Sequence, residues 1–221
     1  MAGQLHGRIF EKHYKAVMCD SIPRGAWSIG DKYDVPAGYE RSFGLPVSVK
    51  AAKRSSRGSA TVCLADARRF MDYDGVFALA VGEWVQSAGW KVFARVHRFW
   101  VTPCLYRRLV GSLTYDEVAA VHDAIKGYAK GEHRACRAAS RSMLSKLRAQ
   151  PLRLNPKIDS DKQRRLQCSV PLRSLVEASD GLFWDGMPVH TVHEAGDGTP
   201  ESLLLPFRVE GEPRKVGSSG R

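Results

Sequence analysis

The run GVFALAVGEW, Gly75 to Trp84, restricts the fold more than any other stretch of this 221-residue chain. It is apolar at successive positions, so as a strand it needs cover on both faces. It is also far too short to cross a bilayer. Such a strand belongs in the middle of a sheet flanked by other layers. The turn residues Ser87 to Gly89 then lead into WKVFARVHRFWVT, where Val92, Ala94 and Val96 alternate with Lys91, Phe93, Arg95 and His97. Two strands joined in this way make a hairpin. Trp84, Trp90, Phe93, Phe99 and Trp100 supply the bulk that packs the sheet.

The flanking segments read mostly as helix. Residues Gly7 to Val17 mix apolar and charged positions at helical spacing, and Ala65 to Tyr73 do the same. Thr114 is followed three residues on by Glu117, a capping box that opens a helix burying Val118, Val121 and Ile125. Another helix is predicted from Glu132 to Ala149. Ser28 to Gly44, rich in Gly, Pro, Tyr and Asp, reads as a loop with at most one short strand, and Leu45 to Ala51 as extended. Asn155 and Pro156 predict a turn, followed by a basic strand and a short helix. Beyond Asp180, MPVHTVHE and ESLLLPFRVE read as late strands, and residues 211–221 as a disordered tail. Alternating strands and helices predict an α/β fold, a mixed central β-sheet flanked by helices. The expected organisation is one domain over residues 1–210, with a β-rich C-terminal embellishment.

Thirty-four Lys and Arg against 23 Asp and Glu leave a net charge of +11, which favours a polyanionic partner. The charge is patterned. Arg134, Arg137, Arg141 and Arg148 share one helical face with no acid between them, an arrangement that a phosphate backbone would neutralise. Lys53, Arg54 and Arg57 extend this basic surface. In DKQRRLQ, Gln163, Arg165 and Gln167 alternate along one face of a strand, and Arg and Gln are side chains that pair with guanine and adenine edges. Five cysteines without a CxxC pair exclude a zinc knuckle and a disulfide framework, and predict reduced thiols. The histidines show no paired metal spacing with nearby cysteines. Met1 to Val17 carries charges where a signal peptide has an apolar core, which predicts a cytoplasmic protein without membrane association.

Chemistry is concentrated in LPVSVKAAKRSSRGSATVCLADARRF. Hydrolysis of a phosphodiester with a metal needs acidic oxygens for the ion, a held water, and a cation for the developing charge. Asp34 enters a turn before the PVSVK strand, and Lys50 shares a strand face with Ser48. No GxSxG elbow and no neighbouring His make Ser48 a nucleophile. With a turn Asp followed by x-Lys on the next strand, the segment resembles the PD-(D/E)xK nuclease superfamily, and within it the type II restriction endonucleases. The acid expected two residues before Lys50 is replaced by Ser48. A subgroup of these enzymes has Ser-x-Lys and takes the displaced acid from the following helix, a role that falls here to Asp66, sixteen residues past Lys50.

The resemblance implies a restriction-endonuclease-like sheet and a site-specific, Mg²⁺-dependent cut of double-stranded DNA in a bacterial cytoplasm. Asp34 and Asp66 would hold the metal, and Lys50 would position or deprotonate the water. Glu40 is a rival for the third acid, with Glu11 behind it. A palindromic site implies a homodimer. The alternatives are a basic DNA-binding protein without catalysis, and an RNA-binding or RNA-processing protein.

Overall fold

The apolar run forms strand β3 (Phe77–Ser87), which pairs antiparallel with β4 (Trp90–Val101). The first eight residues of β3 are all buried. Ala88 and Gly89 join the strands with φ of 44° and 85°. Positive φ at both positions gives the twist that a two-residue hairpin needs. The structure, a computed structural model, describes residues 5–23, 25–26, 32–42, 44–56, 58–129, 131–147, 151–160 and 163–210. The tail expected at 211–221 lies outside them.

Helix α1 (Leu5–Met18) covers one face of this sheet with Phe10, Tyr14 and Met18, packed on Val47, Val49, Ala78 and Ala80. Gly82 permits the close approach. A Cβ there would lie 2.5 Å from Phe10 Cζ and 2.8 Å from Phe93 Cδ1, two rings that stack with centroids 4.4 Å apart. Strand β1 (Val47–Lys53) runs parallel to β3 at the sheet edge. A parallel pair needs a crossover, and this one contains β2 (Thr61–Asp66) and the short helix α2 (Ala67–Met71). Ala65 and Asp66, expected in the helix, therefore end a strand.

That strand belongs to a second sheet, which the sequence reading did not anticipate. Its order is β2, β6 (Gln163–Pro171), β5 (Arg153–Ser160), all antiparallel. The turn expected at Asn155 and Pro156 is corrected: both lie within β5, opposite Gln167 and Leu166. Pro156 is tolerated because β5 is the outer strand of the sheet. The main core fills the space between the two sheets with Leu79, Val81 and Phe99 from one and Val62, Leu64 and Leu166 from the other.

Helices α3 (Pro103–Val110), α4 (Tyr115–Gly127), α5 (His133–Leu144) and α6 (Leu172–Ser179) pack around that core. Thr114 accepts from the Glu117 N–H while Glu117 reaches back to the Thr114 N–H, so the capping box forms as read. Helix α3 was not foreseen; Thr102 caps it and Pro103 starts it. Helix α5 ends five residues short of Ala149. At the C-terminal end, β7 (Phe183–Trp184) and β8 (Met187–Pro188) form a small hairpin. Strands β9 (His190–Glu194) and β10 (Phe207–Glu210) share the outer edge of β4. The ESLLL segment, expected as strand, is a 3₁₀ turn from Pro200 to Leu204. The architecture is mixed α/β, and among the described residues no helix is long and apolar enough to cross a membrane.

Candidate active site and basic surface

Strand β1 exposes an edge, and Asp34 fills part of it. The N–H groups of Asp34 and Val35 donate to the Val47 carbonyl at 2.9 Å each, which pins the turn to the start of β1. One carboxylate oxygen, Asp34 Oδ2, then accepts from the Val49 N–H at 2.7 Å, from Lys50 Nζ at 2.8 Å and from Ser48 Oγ at 3.4 Å. The Val49 N–H would otherwise lack a ladder partner on that edge. Asp34 and Lys50 side chains are each 23% exposed, enough for solvent or substrate to reach them. Among the described residues nothing donates to Asp34 Oδ1. The D…SxK spacing thus becomes one contiguous cluster.

Asp66 stands apart from it. Its side chain caps α2 by accepting from the Arg68 N–H at 3.1 Å, and it lies opposite Gln167 on β6. No hydrogen bond or ion pair joins it to Asp34 or Lys50 among the described residues. Its strand nonetheless runs beside the cluster, since Ser48 lines a small cavity of about 30 Å³ together with Leu64 and Ala65. A further link comes from Cys63. Burial pushes its thiol up, and the opposing cations are Lys157, Lys50 and Arg165. Those three positive groups therefore all act on one position of β2.

Glu40 does not join the site. Lys50 is in register with Val81 and His97, whereas Arg98 is in register with Ala80 and Val49, whose side chains face α1 on the other side of the sheet. Glu40 Oε1 lies 3.0 Å from Arg98 Nη2, and Glu201 Oε1 lies 2.5 Å from Arg98 Nη1, with all three side chains at most 7% exposed. Its carboxylate belongs to a buried ion triad. Glu11 pairs with Lys15 at 2.7 Å one turn along α1. Among the described residues no three His, Cys, Asp or Glu side chains converge as a ready-made metal cage.

The basic residues separate into groups. Arg165 and Gln167, both half-buried, alternate on β6 with Leu166 and Cys168, which point into the core. Arg164 faces the helices instead and donates to the Tyr128 carbonyl. The Gln163 side chain lies outside the described residues, as do Arg57 and Arg148. Lys157, opposite Arg165, and Asn155, opposite Gln167, were missed by sequence reading. The signal for them was the alternation in RLNPKID once Pro156 is allowed in a strand. On α5, Arg134 and Arg141 are exposed, but the Arg137 guanidinium donates to the Ile158 carbonyl at 3.0 and 2.6 Å and so ties the helix to β5. Lys53 sits on the opposite face of β1 from Lys50, its ammonium 5.7 Å from the Trp84 ring centroid. Arg54 lies on the Lys50 side, close enough to Glu83 to favour its ionised form.

Compared with protein-family models, with curated proteins and with solved structures, the chain matches none of them.

Proposed function

We propose that this protein is a Mg²⁺-dependent endonuclease of double-stranded DNA, similar in chemistry to type II restriction enzymes and acting as a homodimer on a palindromic site. The observation that carries this reading is the Asp34 carboxylate, held at one oxygen by Lys50 and the Val49 N–H with its other oxygen undonated. The donor set fits a hard cation: Asp34 Oδ1, the second Asp66 oxygen and the Ser48 hydroxyl are all oxygen ligands. Asp34 and Asp66 would hold the ion. Bound Mg²⁺ supplies Lewis acidity and a more acidic water.

The remaining work falls to this chain's own side chains. Lys50 holds an ammonium beside Asp34, where it orients the attacking water and offsets negative charge on the phosphate as the bond to the leaving oxygen lengthens. Lys157 and Arg165, opposite each other on β5 and β6, supply charge for the adjoining phosphates. Gln167 and Asn155 neighbour them on the same sheet and offer amides to adenine edges.

Asp66 capping α2 needs no metal, and this favours a second reading as a DNA-binding protein without catalysis. Plasmid DNA incubated with the tag-free protein in Mg²⁺, and in parallel in EDTA, separates the two. Discrete Mg²⁺-dependent fragments are expected. Intact plasmid, on DNA long enough to contain many candidate sites, would sink the nuclease reading.

A further inference from the structure

Glu83 is out of place in the apolar β3 run, and the fold gives it company. It is 6% exposed, as is usual only for a paired acid. Diagonally across the hairpin lies His97, 8% exposed, with Nε2 3.8 Å from Glu83 Oε2. That is too long for a hydrogen bond, and among the described residues His97 Nε2 has no hydrogen-bond partner. The other ring nitrogen is engaged: His97 Nδ1 lies 3.2 Å from His190 Nε2 on the adjoining strand β9, and the two rings are stacked 7° from parallel. Both Glu83 and His97 line an open cleft of about 480 Å³, between β3 and β4 on one side and α6 with the loop before β2 on the other.

We propose that Glu83 Oε2 and His97 Nε2 together bind a divalent transition-metal ion of the Zn²⁺ type at the floor of this cleft, with water in the remaining positions. Two donors each about 2.0–2.2 Å from one ion span the 3.8 Å between these atoms with a wide angle at the metal. The ion fills the contact that neither group makes now. His190 acts as a positioning residue. With the His97 Nδ1 proton donated to His190, Nε2 keeps its lone pair on the side of Glu83 Oε2, the arrangement that metal-bound imidazoles adopt.

The local charges agree. Of the cations lining the cleft, Arg95 pairs with Glu194 and Arg173 with Glu177, each at 2.7 Å. Water-filled positions of the ion face the cleft, so an anionic or carbonyl group entering there can bind it. Glu83 lies in the register row of Ala52 and His97 in that of Val81 and Lys50, with β3 between His97 and the β1 edge that holds the Asp34 carboxylate.

Titration of the tag-free protein with Co²⁺ tests the proposal through the visible absorption of a bound ion. Bands that saturate at one ion per chain are expected, lost in Glu83→Gln and His97→Gln, and retained in Asp34→Ala. His190→Gln should weaken binding about 10–100-fold. Bands unchanged in His97→Gln, or lost only in Asp34→Ala, would overturn it. Should either variant fail to fold, wild-type protein with ¹⁵N-labelled histidine rings decides: Zn²⁺ must shift the His97 Nε2 resonance, and an unshifted resonance refutes the site. The nuclease reading is tested by Mg²⁺ and plasmid, so either idea can fail without the other.

Discussion

Lys50 Nζ and Asp34 Oδ2 lie 2.8 Å apart across the open edge of β1, with the Val49 N–H on the same oxygen. The backbone bond fixes the carboxylate whether or not the lysine is present. Lys50→Ala is therefore expected to fold normally and to lose less than about 1 kcal/mol, as a partly exposed pair does. Cleavage should fall by about 10²–10³-fold, the usual effect of removing one charge-stabilising group. Asp34→Ala should abolish cleavage, and both variants should keep their affinity for duplex DNA. A gel-shift assay beside a cleavage time course checks this, and equal loss of binding and cutting would count against catalysis.

Asp66 has two possible tasks, and Asn separates them from each other. Asparagine caps a helix as well as aspartate does, so Asp66→Asn should leave the melting temperature unchanged. It lacks the charge a metal ligand needs, so Mg²⁺-dependent cutting should drop sharply. Asp66→Ala should lose the cap as well, at a cost of about 1 kcal/mol. If Asp66→Asn cuts at the wild-type rate, the second acid lies elsewhere.

What could be read from the sequence was local. The β3–β4 hairpin, the Thr114 capping box and the Asp34–Lys50 pairing each follow from residues close in sequence or from strand alternation. Strand β2 escaped because its register shifts between Cys63 and Ala65, which breaks the two-residue period. The β5–β6 hairpin escaped because Pro156 marks a turn unless the strand is known to be an outer one. Glu40 was misassigned for a different reason: its partner Arg98 comes from another strand, and no local pattern shows which face of the sheet an acid in a loop will reach. Arg137 belonged to a convincing charged stripe, yet a carbonyl on β5 claims it.

The Glu40–Arg98–Glu201 triad should govern stability and leave chemistry alone. Arg98→Met strands two buried carboxylates, and loss of one partner from a buried pair costs about 3–5 kcal/mol. Glu40→Gln keeps an acceptor for Arg98 and should cost less. At temperatures where Glu40→Gln remains folded, its cleavage rate should equal that of the wild type. Denaturant unfolding followed by tryptophan fluorescence, paired with the plasmid assay, reports both quantities. A folded Glu40→Gln protein without activity would return Glu40 to the site.

His190 gives the protein a pH dependence with a definite sign. Burial, and then the neighbouring His97, bring its pKa down from 6.5 to about 4. Between those values the unfolded chain takes up a proton that the folded chain refuses. Stability therefore rises with pH across this window, is fully present above about pH 6.5, and is lost as pH falls toward 4. Asp197, held down to about 2 chiefly by its hydrogen bonds to Thr199, acts lower on the scale and does not overlap. The comparison with His190→Gln reads His190 together with the groups coupled to it, His97 first among them. Urea midpoints measured at about pH 7 and about pH 5 should differ more for wild type than for His190→Gln. Equal differences would mean that His190 takes up its proton alike in the folded and unfolded chains, with its Nε2–H then donating to His97 Nδ1.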